Sequence, residues 1–285
     1  MIARVLLLVR FEWRKLLGRR LPLFALLGVV LIALLAPKVG HVVDTATSLQ
    51  QRGRAASVDR FANGWTALAG AVSTTRMFLT LAVLVLAGSA VAEERAQGTL
   101  RALLVRPVRR AELLLAKLLA LWSYGGALLI AAVVAAAVGA ELSLGLYDVV
   151  DPDYPERLTH AFGDMCGYVY LATALSLAPL LALSAMGLLV SVLFDHPGHA
   201  TGVAVAALFL LSAWAGLDRD AKDYLFVGYL AAPFQIVGDL AEQYTNVRKD
   251  LAPSALAQAT LVPLAWALGC FGASALVLTR RDVTD

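Results

Sequence analysis

From Leu21 to Leu278 the sequence alternates long apolar stretches with polar segments. A hydrocarbon core about 30 Å thick calls for helices of about 20 apolar residues. The stretches lie at about 21–36, 66–92, 118–140, 167–194, 201–217 and 255–278. The chain is 60% hydrophobic and only 16% charged, with a mean hydropathy of +0.74. Soluble domains are nearer half apolar and a quarter charged. The expectation is an all-α integral membrane protein with six transmembrane helices.

The first stretch, Leu21–Ala36, is short and is closed by Pro37, with 38–64 read as a polar loop. The third contains Gly125-Gly126, and the acidic loop after it, 141–163, carries Glu141, Asp148, Asp151, Asp153 and Glu156. Pro179 sits near the middle of the fourth, where it removes one backbone bond. Between spans five and six, Tyr224–Leu240 is apolar but interrupted by Gly228, Pro233 and Gly238. It reads as a re-entrant or interfacial segment, which needs protein or a water cavity around it.

Residues 1–20 precede the spans and form a unit distinct from the six-span domain, 21–285. At 100° per residue, Ile2, Val5, Leu6, Val9, Trp13, Leu16 and Leu17 share one arc, with Arg4, Arg10, Arg14 and Lys15 elsewhere. Leu7, Leu8 and Phe11 break the pattern. One reading is an amphipathic helix in the cytoplasmic headgroup layer, Arg10 and Arg14 toward anionic lipid and Trp13 toward the apolar side. The other is a positive flank that only orients the first span. The basic region runs to Arg20 and no small-x-small site follows, so it is not read as a cleaved leader.

Six spans place both ends of the chain and the 93–117 connection on one side. That side holds 14 of the 24 bases and 7 of the 21 acids, a net +7 against −4 opposite. The basic side is cytoplasmic by the positive-inside rule, as in a bacterial-type inner membrane.

Catalytic patterns are missing. No Gly-rich run ends in Gly-Lys-Ser or Gly-Lys-Thr, so this chain is not expected to bind or hydrolyse ATP. There is no His-Glu-x-x-His and no Gly-x-Ser-x-Gly. The spans carry few ionisable groups, which argues against a proton-coupled transporter or an intramembrane hydrolase. His196 and His199 frame Pro197-Gly198 and read as a solvated turn, since a structural metal site usually takes four ligands. Cys166 and Cys270 read as small buried residues. No catalytic residue, metal ligand or cofactor is assigned, and nothing suggests nucleic acid. Arg76 lies 18 residues before Glu94, about 27 Å along a helix. It reads either as a snorkelling side chain or as an arginine facing a translocation path near its exit. Lys117 reads most simply as a snorkelling anchor.

The densest charge is in 93–117, EERAQGTLRALLVRPVRRAELLLAK. Leu100, Leu103 and Leu104 share a helical face, and Pro107 ends that helix. Held between two spans, such a helix is either a lever for a docked partner or a loop that fixes topology. Glu93-Glu94-x-x-x-Gly98-Thr99-Leu100-x-x-Leu103-Leu104-x-x-Pro107-x-x-Arg110, followed by Lys117, resembles the signature of ATP-binding-cassette (ABC) transporter permeases of the type-2 exporter family. The six-span layout fits as well.

The resemblance implies a permease that dimerises with itself or a homologue and binds two separate ABC ATPase subunits, which hold the ATP and Mg2+. Glu93–Arg106 would be the helix seated on the ATPase, with Glu93, Glu94, Gly98, Thr99, Leu100, Leu103, Leu104, Arg106, Pro107 and Arg110 in the coupling element. Residues 224–240 would form an outer re-entrant gate around Pro233 and Phe234. Members of the family move drugs, peptides, lipids, glycans or ions, so the signature leaves the cargo open. A second reading keeps the ATPase but makes the chain a force-transmitting component acting on an extracytoplasmic partner. A third, a membrane-embedded enzyme, conflicts with the apolar spans.

Overall fold

Once backbone groups are bonded within each helix, small residues decide how closely two helices approach, and here they set the packing. The computed structural model describes residues 2–50, 63–98, 110–150, 158–241 and 253–280. Helix α1 (Ile2–Leu17) leads to α2 (Arg20–Gln50), α3 (Gly64–Ser89) and the short α4 (Ala92–Ala96). Next come α5 (Arg110–Ser143), an antiparallel hairpin of β1 (Val149–Val150) and β2 (Leu158–His160), and α6 (Phe162–Leu193). The chain continues through α7 (Pro197–Leu217), α8 (Arg219–Tyr224), a 3-10 turn at Phe226–Leu230, α9 (Ala232–Ala241) and α10 (Pro253–Arg280). In the hairpin Val149 faces His160 and Val150 faces Leu158, with an irregular step between them. Among the described residues six helical stretches are long and apolar enough to cross a membrane, and the protein is an all-α membrane protein.

Helices α3, α5 and α6 form the centre. Of the most apolar part of each span, 72% is buried in α6, against 17% in α7 and 28% in α10, so the latter two present most of their surface outward. At Gly187 an added Cβ would lie 2.6 Å from the Ala87 methyl, so α3 and α6 meet where neither has bulk. At Gly139 an added Cβ would lie 2.4 Å from the Leu34 carbonyl oxygen and 3.2 Å from Pro37.

That second contact accompanies a departure from expectation. Pro37 does not close the first span: α2 runs through it to Gln50, so the expected polar loop begins as helix. Proline removes one N–H, the partner of the Ala33 carbonyl, and Ala33 is fully buried. Packing against Gly139 of α5 holds the helix together across the break. Pro179 is likewise inside a continuous α6 and buried.

Helix α1 forms as anticipated and packs on part of the anticipated face. Val5, Glu12 and Leu16 are buried and Val9 and Trp13 half-buried, while Leu6 and Leu17 stay exposed with Leu7 and Phe11. Cys270 is buried, but Cys166, expected to be, is exposed in the first turn of α6. An apolar stretch in a membrane protein has an outward face as well as a packed one.

Residues 219–241 make short helical pieces, and the turn between the 3-10 segment and α9 packs on the interior helices. Leu230, Ala231 and Phe234 line one cleft with Leu79 of α3, Leu129 of α5 and Ser176 of α6.

Candidate functional site

Three acids and three bases of the described residues converge where α1, α4 and the start of α5 meet. Glu12 and Lys15 lie three apart on α1, a spacing that puts them on one helix face. Arg19 follows in the turn to α2. Glu93 and Glu94 occupy the first turn of α4, where the helix dipole favours carboxylates. Lys117 comes two turns into α5.

Lys117 is 2% exposed, and its ammonium donates to Glu12 Oε1 at 3.0 Å and Glu94 Oε1 at 2.6 Å. Lys15 donates to the same Glu94 oxygen. Glu94 is 1% exposed, so two ammonium groups flank a buried carboxylate. Arg19 Nη1 pairs with Glu93 Oε2 at 2.6 Å, and Gln97 Nε2 donates to the other Glu93 oxygen at 3.2 Å. A buried ion survives only when paired and hydrogen-bonded, and each of these carboxylates accepts from a base on another element. The cluster therefore joins α1, α4 and α5 into one unit.

Apolar and neutral contacts extend the junction. Trp13 Nε1 donates to Ser123 Oγ of α5 at 2.8 Å, and its ring meets Tyr124 edge-on with centroids 6.2 Å apart. Helix α4 has no side-chain cap of its own. Ser191 near the end of α6 supplies one, its hydroxyl accepting from Val91 N at 2.9 Å and Ala92 N at 3.0 Å. Arg95 donates to the Val192 carbonyl at 3.2 Å and pairs with Asp195 at 2.8 Å, fastening α4 to the end of α6. Arg110 donates to the Leu278 carbonyl at 2.7 Å, a cation at the negative end of α10. The last described turn of α10 thus lies at the same end of the bundle.

Gly98 stops α4 with φ +69°, and its N–H donates to the Arg95 carbonyl at 3.0 Å. A left-handed residue after a helix is a glycine position, and an added Cβ would meet nothing within 4 Å, so conformation alone selects glycine.

Of the residues singled out in the sequence, Glu93 and Glu94 sit inside the cluster, with Gly98 and Arg110 flanking it. Thr99, Leu100, Leu103, Leu104, Arg106 and Pro107 lie outside the described residues. Trp13 packs inward, while Arg10 and Arg14 are exposed. Pro233 and Phe234 are buried at the far side of the bundle.

Lys117 corrects its expectation. It does not snorkel, because its charge is met by carboxylates from two other elements. Glu12, Lys15, Arg19 and Ser191 were not foreseen as partners. For Glu12 a signal existed: it falls on the helix face defined by Val5, Val9 and Leu16, where an unpaired carboxylate has no place.

A family model described as ABC-2 family transporter protein matches residues 6–283. No curated protein gives a match to the chain. Members of that family are membrane components that work with ABC ATPase subunits. The match spans nearly the whole chain, including every helix of the junction, and the chain belongs to the ABC-2 transporter family as a permease, the membrane component of an ABC exporter.

Proposed function

We propose that the protein is the permease subunit of an ABC exporter in an inner (plasma) membrane, with the charged end of the bundle in the cytoplasm. Two copies, or one copy and a homologue, form the substrate path. Two separate ATPase subunits bind the ATP and Mg2+ and drive it. The segment 93–110 receives the ATPase, and α1 lies in the headgroup layer beside it. Exposed Leu6, Leu7, Phe11 and Leu17, next to Arg10 and Arg14, suit that layer. The short helices of 224–240, with Pro233 and Phe234 against the interior helices, form the outer gate.

The observation carrying this reading is the buried Lys117, bonded at once to Glu12 of α1 and Glu94 of α4. Glu94 stands five residues before Thr99, where the docking segment continues. Force applied to 99–109 reaches α4 first. Through the ion cluster it moves α1 and α5, and through Ser191 and Arg95 it moves α6. A lone loop would flex under that load, whereas a clamped one transmits it. Transport energy then comes from ATPase closure, and the chain itself performs no chemistry.

The test is reconstitution with the ATPase in vesicles. Exchanging the Arg19–Glu93 pair is the sharpest probe, because both side chains are partly exposed and tolerate reversal. Glu93→Lys is expected to lower permease-stimulated ATPase activity several-fold, and the double variant Arg19→Glu/Glu93→Lys to recover it. No loss in the single variant would remove Glu93 from the coupling path. ATPase stimulation with remodelling of an extracytoplasmic partner and no solute movement would favour the force-transmitting reading instead.

A further inference from the structure

Pro179 and the Gly125-Gly126 pair, both conspicuous in the sequence, meet where α5 crosses α6. Gly125 turns to α3, where an added Cβ would lie 3.2 Å from a Val83 methyl. Gly126 turns to α6, where an added Cβ would lie 3.2 Å from a Leu177 methyl. One turn before Gly126, half-buried Trp122 reaches the same residue, its Nε1 donating to the Leu177 carbonyl at 2.9 Å. Positions 122 and 126 share a helix face, so α5 holds Leu177 by backbone and side chain together.

Leu177 lies in a weakened turn of α6. Pro179 has no N–H, so the bond to the Leu175 carbonyl that would close the turn 175–179 is missing. On both sides of it hydroxyls bond back to their own helix. Thr173 Oγ1 donates to the Val169 carbonyl at 2.8 Å, Ser176 Oγ to the Ala172 carbonyl at 2.7 Å and Ser184 Oγ to the Leu180 carbonyl at 2.9 Å. Such back-bonding favours bending. Yet α6 stays helical from Phe162 to Leu193. A proline break at membrane depth persists when neighbouring groups make up for the lost bond. The indole N–H is a donor only, and away from water it must find an acceptor. The acceptor it takes pins the middle of the open turn from outside.

The two halves of α6 are fastened to different parts of the molecule. The half after Pro179 ends at Ser191 and Val192, which hold α4. The half before it packs on the outer hairpin, where Tyr168 meets His160 edge-on with centroids 5.7 Å apart.

We propose that Trp122 is a positioning residue. Its bond to the Leu177 carbonyl latches α6 at Pro179, and its release lets the half that holds α4 swing against the half that holds the hairpin. That this swing belongs to the transport cycle rests on the exporter reading, whereas the latch itself does not.

The experiment uses the full chain with Cys166 and Cys270 replaced by serine, spin-labelled at Tyr170→Cys and Leu193→Cys, exposed positions on either side of Pro179. Labelled chain is diluted with unlabelled chain, so that pulsed EPR reads distances within one copy. Without ATPase, the otherwise wild-type chain is expected to give one dominant distance. Trp122→Phe, which removes the N–H and keeps a ring, should raise the share of a second distance about fivefold, as loss of one neutral hydrogen bond does. Trp122→benzothienylalanine, incorporated at that site alone, puts sulfur in place of the N–H on the same ring shape. It should act likewise, and it gives the answer should Trp122→Phe not fold. Pro179→Ala closes the turn, so in its presence Trp122→Phe should leave the dominant distance alone. Unchanged distances in the variants at 122 overturn the latch. So does a second distance that survives Pro179→Ala, which would make Trp122 a space-filling residue only. With the ATPase bound and ATP held unhydrolysed, wild type should move to the second distance and Pro179→Ala should not. A bound, stimulated ATPase with no change of distance overturns the role of the latch in the cycle. If no ATPase binds at all, the exporter reading fails, and the distances in the chain alone still decide the latch.

Discussion

An ammonium at 2% exposure is tolerable only because carboxylates meet it, and Lys117 has two. Removing it leaves Glu12 and Glu94 buried and facing each other, a change that costs about 3–5 kcal/mol when one partner of a buried pair is lost. Lys117→Met should lower the thermal midpoint in detergent markedly, and Glu12→Gln added to it should restore part of the loss. The opposite order, with the double variant worse than the single, would mean that Glu12 does more than balance Lys117. Gly98 makes a second residue-level case. Its φ of +69° costs an L-residue about 1–2 kcal/mol through its own backbone, with no added clash because nothing else lies near the missing Cβ. Gly98→Ala should lose about that much in chemical denaturation, and Gly98→Asn less. The need for glycine at 98 was visible in the sequence as part of a motif, but its reason was not. The partners of Lys117 were invisible because they lie 105 and 23 residues away in the chain. From its immediate neighbours alone, a lysine opening an apolar helix looks like an anchor.

At the scale of elements, α4 shows how a short helix is stabilised from outside. Five residues make too little helix to persist alone. Ser191 satisfies two of its orphan N–H groups across the bundle. Ser191→Ala should cost about 0.5–2 kcal/mol, the range for a lost cap. It should also reduce ATPase stimulation if α4 carries force, whereas reduced stability with unchanged stimulation would make the cap purely structural. The long helices themselves were legible, because continuous apolar runs leave few alternatives. Their ends were less so. Pro37 is a stop signal by local chemistry, and only the glycine of α5 opposite it explains why α2 continues. Helix α1 was legible as a helix and its packed face in part, through Val5, Val9, Trp13 and Leu16, but an arc drawn from apolar residues alone cannot include Glu12.

For the whole molecule, the uneven covering of the spans matters most. The outward faces of α7 and α10 meet either lipid or a second copy, and the exporter reading puts a copy there. Purified with its ATPase, the protein should elute as two permeases and two ATPases by mass. A single permease bound to ATPase would refute the dimer. The orientation proposed from the charge count is open to labelling. Tyr147, 72% exposed beside the hairpin, and exposed Arg10 of α1 lie at opposite ends of the bundle. With Cys166 and Cys270 replaced by serine, Tyr147→Cys should react with an impermeant maleimide on intact cells, and Arg10→Cys only after permeabilisation. The reverse pattern would invert the topology. The class of protein was readable from pattern and motif together, whereas the junction that joins α1 to the loop needed three dimensions.

The ion cluster also has a consequence for biosynthesis. Its acids at 12 and 94 are translated before the lysine at 117 that neutralises them. Until the third span enters the bilayer, α1 has no place to dock and Glu94 cannot be drawn out of water. Insertion of that span is thus a checkpoint. A nascent chain arrested before Lys117 should hold its leading helix loose and protease-accessible, and one arrested well beyond it should not.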